Sequence, residues 1–372
     1  MKRAILLLVL VGGLGCDGDP FVTVVDAGDA SADTGFDAAP APDAGDAGNG
    51  IAWTKVVLPG GAEPYAVWAF NPTNVFIGGE SMTGGFIAHW NGASIDKTWL
   101  PGVSPGLPTG TARITAIAGR SPTEVVAVGS KFAGRIRLAG ASWIALNGGA
   151  GAPLDLVGVG FSEGATDGGT TPRYNLVAAN GGVLTALTEN IFTPPVSDYG
   201  SGLSNGLTCN GGDGFVVACN DHVVTWDVLA STKANGANVY DTPGTTYFAG
   251  VSRPQPGPGT PPAFAWLVGT DGSKGVLSSI SLANGSIASP GTALPKSALR
   301  SVAFLAPDTV FAAGDDGTFV RGVGGVQNLA VTVSEVTGKP SLRGVWAIDL
   351  GAGKTQVWVV GSGGAVFRAD LP

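Results

Sequence analysis

An all-β fold, a closed ring of four-stranded sheets, is what this chain predicts, and three observations predict it. A unit of 40–50 residues with the same order of apolar strands and glycine turns recurs seven times. The 61 glycines and 25 prolines in 372 residues, with only 13% charged, suit many short strands joined by tight turns rather than helical bundles. The ends of the chain fit a ring, because the last unit stops one strand short and the folded part begins with one strand to spare.

The first 49 residues belong to none of the units. Met1-Lys-Arg3 is basic, and residues 4–14 are an apolar or glycine run too short to span a bilayer, which needs about 20 residues. This is the pattern of a secretory signal peptide over 1–15. The run ends in Gly13-Leu-Gly-Cys16, which resembles a bacterial lipobox, with Gly13 where leucine is usual. The resemblance implies a lipid on Cys16 and an exported lipoprotein anchored in the cell envelope, at its periplasmic face or the cell surface. Asp17 resembles the residue that retains some such lipoproteins in the inner membrane. An ordinary signal peptide with an incidental cysteine is the alternative. Residues 17–49 hold eight Asp and no Lys, Arg or Glu, so 16–49 reads as a disordered tether that like charges extend. From residue 50 onward 18 basic residues face 20 acidic ones, which lacks the footprint of a nucleic-acid binder.

The repeats fill residues 50–372. Taking the small residue that ends the second strand of each unit as a marker, Gly79, Gly129, Ala179, Cys219, Gly269, Gly314 and Gly361 align. The units at Ala179 and Cys219 are degenerate, which leaves six or eight open beside seven. Within a unit, strand a is typified by Ala66-Val-Trp-Ala-Phe70 and strand b is the marker strand. A Gly/Asp turn such as Asp315-Asp-Gly317 follows, then strand c (Phe86-Ile-Ala-His-Trp90) and strand d (Ser142-Trp-Ile-Ala-Leu146). The chain ends in a strand c, while Gly50-Ile-Ala-Trp53 aligns with Gly140-Ala-Ser-Trp143, a strand d. Residues 51–58 are therefore predicted to complete the last sheet and close the ring.

These units resemble the repeats of WD40/YVTN/BNR-like β-propellers found in bacterial exported proteins. The resemblance implies a seven-bladed propeller but little about activity, since such propellers host enzymes, binders and scaffolds alike. The sialidase box is absent, and Trp226-Asp227 stands without a Gly-His partner.

Few residues offer chemistry. His89 and His222 are the only histidines; the first is expected half-buried on a strand, the second in a turn. No metal site, cofactor or catalytic set is predicted. Arg300 and Arg343 share one place in strand a with Tyr65 and Thr115, where an anionic ligand at the channel mouth would meet them. Glu80, Asp221, Asp271, Asp315 and Asp316 fall at the turn between strands b and c, where Asp before Gly simply favours the turn. Cys209 and Cys219 flank a hairpin and would bridge in an oxidising compartment if the register faces them. Residues 162–172 and 252–262 read as loops on one face, and the between-unit connections at 101–112 and 193–206 as loops on the other, the favoured binding face. The function expected is a non-catalytic binding or assembly module, its partner an envelope protein or glycan. The alternative is a carbohydrate-active hydrolase or lyase with two carboxylates beside Arg300 or Arg343.

Overall fold

The structure, a computed structural model, describes residues 50–372 apart from 103–106, 108, 131, 138–142, 146–154, 167–168, 180–182, 188–208, 214–215, 227–236, 253–262, 291–293, 306–307 and 326–327. The chain divides into Met1–Ala41 and Pro42–Pro372, and all described residues belong to the second unit. The signal peptide, Cys16 and the tether lie outside them.

The described residues form seven antiparallel sheets, numbered here by their innermost strands in chain order. Those innermost strands are Glu63–Asn71, Arg113–Ser121, Leu156–Thr166, Cys209–Gly212, Thr246–Ser252, Leu299–Leu305 and Leu342–Gly351. Each packs against the innermost strand of the next sheet, and the seventh packs against the first, so they close a ring. Six of the sheets have four strands and the third has three among the described residues. The seventh is completed by Thr54–Lys55, which pairs with Ala365–Leu371 through Thr54↔Arg368 and Lys55↔Phe367. One residue further on, Val56 N–H donates to the Val366 carbonyl at 2.8 Å. The spare strand at the start fills the missing place at the end.

The cores lie between sheets, which explains why the strands read as unbroken apolar runs. In Val357-Trp-Val-Val360, Val357 and Val359 pack with sheet six around Phe311 and Phe319. Trp358 and Val360 face the other way, onto Val75, Ile77 and Phe86 of sheet one. Likewise Val125 and Ala127 join the core shared with sheet one, and Val126 and Val128 the core shared with sheet three. A strand with two apolar neighbours cannot alternate. Trp53, beside the closing strand, sets its ring edge-on to Phe319 of sheet six, with ring centres 5.2 Å apart.

Two expectations change. Residues 162–166 and 169–172 are not a plain loop: the first hairpin of sheet three continues through Ser162↔Arg173 to Thr166↔Gly169. His222 opens the strand His222–Trp226 instead of sitting in the turn before it. The connection at 101–112 does link sheets one and two, pinned by Gly85 N–H to the Thr111 carbonyl at 2.9 Å; 193–206 and 253–262 lie outside the described residues.

Candidate functional site

One irregularity recurs in all seven sheets. The ladder between the first two strands slips by one residue near the start of the innermost strand, which leaves one residue bulged out. The bulged residues are Tyr65, Thr115, Val157, Asn210, Phe248, Arg300 and Arg343. All seven are half-buried. A bulge re-aims its side chain out of the pleat, and here it does so at one end of every innermost strand.

In five of the seven sheets the marker glycine of the repeat lies at this slip. Gly79, Gly129, Gly269, Gly314 and Gly361 lie opposite the residue just before the bulge. A Cβ on Gly129 would stand 1.8 Å from the Arg113 carbonyl oxygen, and one on Gly314 2.0 Å from that of Ala298. No side chain fits at these five places, so glycine is what lets the two backbones close in there. In the degenerate units the place is taken by Cys219 and by Ala178, not the Ala179 chosen from sequence.

The bulged residues and their neighbours bridge one sheet to the next. Arg343 lies 4.4 Å over the Tyr65 ring and pairs through Nη1 with Glu63 at 3.0 Å. Arg113 lies 4.6 Å from the same ring and pairs through Nη2 with Glu80 at 2.8 Å. Tyr65 is thus held by two guanidinium groups, each fixed by a carboxylate. Arg300 lies 4.3 Å over the Phe248 ring and donates to both oxygens of Asp315, the shortest contact being 2.7 Å. Asp315 also accepts from the Ser341 hydroxyl at 2.5 Å. Thr115 donates to the Leu156 carbonyl at 2.7 Å and Asn210 to that of Tyr247 at 2.8 Å. The mouth therefore has a charged, aromatic arc on sheets five, six, seven, one and two, and a small, uncharged arc at Thr115, Val157 and Asn210.

Of the residues expected at the mouth, Arg300, Arg343 and Tyr65 do share one level, and Tyr65 touches Arg343. The arginines do not stand as bare anion receptors, because each holds a carboxylate. Sequence reasoning missed Glu63, Arg113 and Phe248. Glu63 and Arg113 stand two residues before a bulge, a position visible only once the slip is known. The acidic turn residues have different partners. Glu80 and Asp315 hold arginines, whereas Asp271 caps its own turn by accepting the N–H groups of Ser273 and Lys274. Among the described residues no cluster of three or more His, Cys, Asp or Glu could hold a metal ion. His89, on the third strand of sheet one, is buried rather than half-buried as expected, because its strand packs between two neighbours, and its Nδ1 lies 2.6 Å from Asp96. His222 has Nδ1 2.5 Å from Asp221 and Nε2 3.1 Å from Asp241, two exposed carboxylates.

Burial pushes the Asp315 carboxyl up, but hydrogen bonds from Arg300 and Ser341, with the charges of Arg300 and Arg343, outweigh it and hold it below the usual carboxylate range. A carboxyl depressed on folding contributes stability above its unfolded value and loses it as pH falls through the folded one. Asp315→Asn should therefore cost about 1 kcal/mol at neutral pH, since the pair is partly solvated. Denaturant curves should show the gap to wild type closing as pH drops through and below roughly 4.

Cys219 is buried and disulfide-bonded, and the register sets Cys209 opposite it, Cα to Cα. Alkylation of the unreduced chain should modify neither cysteine, and after reduction both. Two reactive thiols before reduction would contradict a Cys209–Cys219 bridge.

No protein-family model matches the chain, and no curated protein matches it in sequence. Solved structures of similar fold are numerous. The WD40 repeats of RRP9 superpose with a TM-score of 0.63 at 12% identity, covering 86% of this chain and 97% of that one. Ycf48 bound to a D1 peptide gives 0.55 at 12% identity, covering 85% and 96%. Ycf48 from Cyanidioschyzon merolae gives 0.55 at 14% identity, covering 85% and 98%. With the closed ring of sheets, these likenesses identify the fold as a β-propeller.

Proposed function

We propose that this chain is an exported, lipid-anchored binding or assembly module that receives a segment of an envelope protein at its bulge-lined mouth, without catalysis. The basic and apolar start, Cys16 and the acidic stretch 17–49 support the anchor and spacer. The seven re-aimed side chains carry the binding reading, because one half-buried group per sheet at a single end of the ring is an accessible, varied surface on a rigid frame. Ycf48, of similar fold, has been solved with a peptide bound; at 12% identity this lends precedent and no more.

Affinity capture from solubilised envelope tests it, with the lipidated protein as bait and the 17–49 tether alone as control. One or two stoichiometric proteins should come down with wild type and be lost with Arg343→Ala. Recovery by the tether alone, or undiminished recovery by Arg343→Ala, would contradict mouth binding. Metabolic acyl labelling that persists in Cys16→Ser would remove the anchor.

The hydrolase reading draws on one observation: Glu63 and Glu80 face each other across neighbouring strands beside Arg343. Glycoside hydrolysis needs one carboxyl as acid and one as base or nucleophile. Here each is committed to an arginine, which favours the binding reading. Glycoside turnover abolished by both Glu63→Gln and Glu80→Gln would reverse that preference.

A further inference from the structure

The opposite end of the channel carries a second, smaller set of slips. The innermost strand of sheet one slips again at Phe70, that of sheet two at Arg120 and that of sheet seven at Leu350. These three sheets are neighbours around the ring, and the other four show no second slip among the described residues. The slips turn out side chains that a regular strand would alternate inward. Phe70 is 48% and Leu350 38% exposed, and no other large apolar side chain on an innermost strand is as open among the described residues.

Arg120, between them and sheet three, is exposed and lies 5.9 Å from the ring centre of Phe161. Unlike Arg113, Arg300 and Arg343, it has no carboxylate partner among the described residues. Asp349, the carboxylate beside Leu350, accepts the Gly351 N–H at 2.8 Å. Phe70 and Leu350 are exposed on neighbouring innermost strands, with the Asp349 carboxylate on one side of them and Arg120, without an ion-pair partner among the described residues, on the other, which matches an apolar segment whose carboxylate lies at the Arg120 side.

We propose that this end is a second docking surface, for an extended segment of a partner protein that carries an aromatic or aliphatic side chain next to a carboxylate. The apolar side chain lies on Phe70 and Leu350, and the carboxylate pairs with Arg120. This inference does not depend on the bulge-lined mouth.

A displayed library of random peptides, selected on the full chain, tests it. Selected peptides should pair Phe, Leu or Trp with Asp or Glu, weaken by about tenfold or more on Phe70→Asp, and keep their affinity on Tyr65→Ala. Arg120→Glu should reverse the charge preference toward Lys or Arg, a change no merely structural role produces, and circular dichroism melts of each variant check the fold. Peptides lacking the acidic residue, or indifferent to both Phe70→Asp and Arg120→Glu, would overturn the proposal. So would an empty selection accompanied by binding to phosphatidylglycerol vesicles that Phe70→Asp abolishes, which would give this end to a membrane surface.

Discussion

Val56→Asp should unfold or nearly unfold the propeller, while Val57→Asp, one residue on, should leave it intact. Val56 is 4% exposed and packs in the core between sheets seven and one, with Trp358, Val360 and Val366. Val57 is 74% exposed. A carboxylate at Val56 would be buried without a partner, which costs about 3–5 kcal/mol, a large part of the stability of a typical domain. The chain has one alternative, to withdraw 51–58 from the ring. That frees the edge of Ala365–Leu371 and exposes an apolar core, and the product should aggregate. Val57→Asp should change the unfolding free energy by no more than about 0.5 kcal/mol. Equal effects from both substitutions would mean that 51–58 does not close the ring.

The second large effect is expected at a marker glycine. Gly314→Ala adds one methyl group in extended backbone, yet its Cβ would meet the Ala298 carbonyl oxygen at 2.0 Å and the Leu299 Cα at 2.8 Å. Both are backbone atoms, so strand b must lift away from strand a or the slip must be lost. The cost should be about 3 kcal/mol, at the upper end for overpacking. Either response also moves Arg300, the residue bulged at this slip, off Phe248 and Asp315. Gly325→Ala is the control, with nothing within 4 Å of the added carbon, and should be nearly neutral. Equilibrium unfolding of the two variants checks both the size and the difference.

These expectations show where sequence sufficed and where it did not. The repeat and the closing strand were legible because each rests on strong local chemistry: apolar runs, Gly turns and a tryptophan at matched places. The shared level of Tyr65, Thr115, Arg300 and Arg343 followed from aligning the clear units. Val157, Asn210 and Phe248 occupy the same level but escaped notice. The first two lie in units where Ala178 or Cys219 replaces the marker glycine, and all three differ in chemistry from arginine and tyrosine. The glycines stood out as punctuation, yet their physical reason, a carbonyl under 2.5 Å from the missing Cβ, is visible only in three dimensions. The pairing of Arg113 with Glu80 and of Arg343 with Glu63 links residues 33 and 280 positions apart, a distance at which no pattern in a single sequence speaks.

Charge compensation also bears on what the mouth binds. Three arginines facing Glu63, Glu80 and Asp315 give no net attraction for an anion, so the recognition proposed there would rest on shape, aromatic faces and the remaining donors of each guanidinium. Partners should therefore depend on Tyr65 and Phe248 at least as much as on ionic strength.

Photo-crosslinking in intact cells tests the mouth most directly. A photoreactive residue is placed in turn at Tyr65, Thr115, Asn210 and Phe248, around the bulge ring, and at Val239 and Ile287 on exposed outer strands. One envelope protein crosslinked from the bulge-ring positions and not from the outer strands is the result expected. The same protein captured only from Val239 or Ile287, or no adduct from any bulge position, would contradict the mouth as the site of recognition.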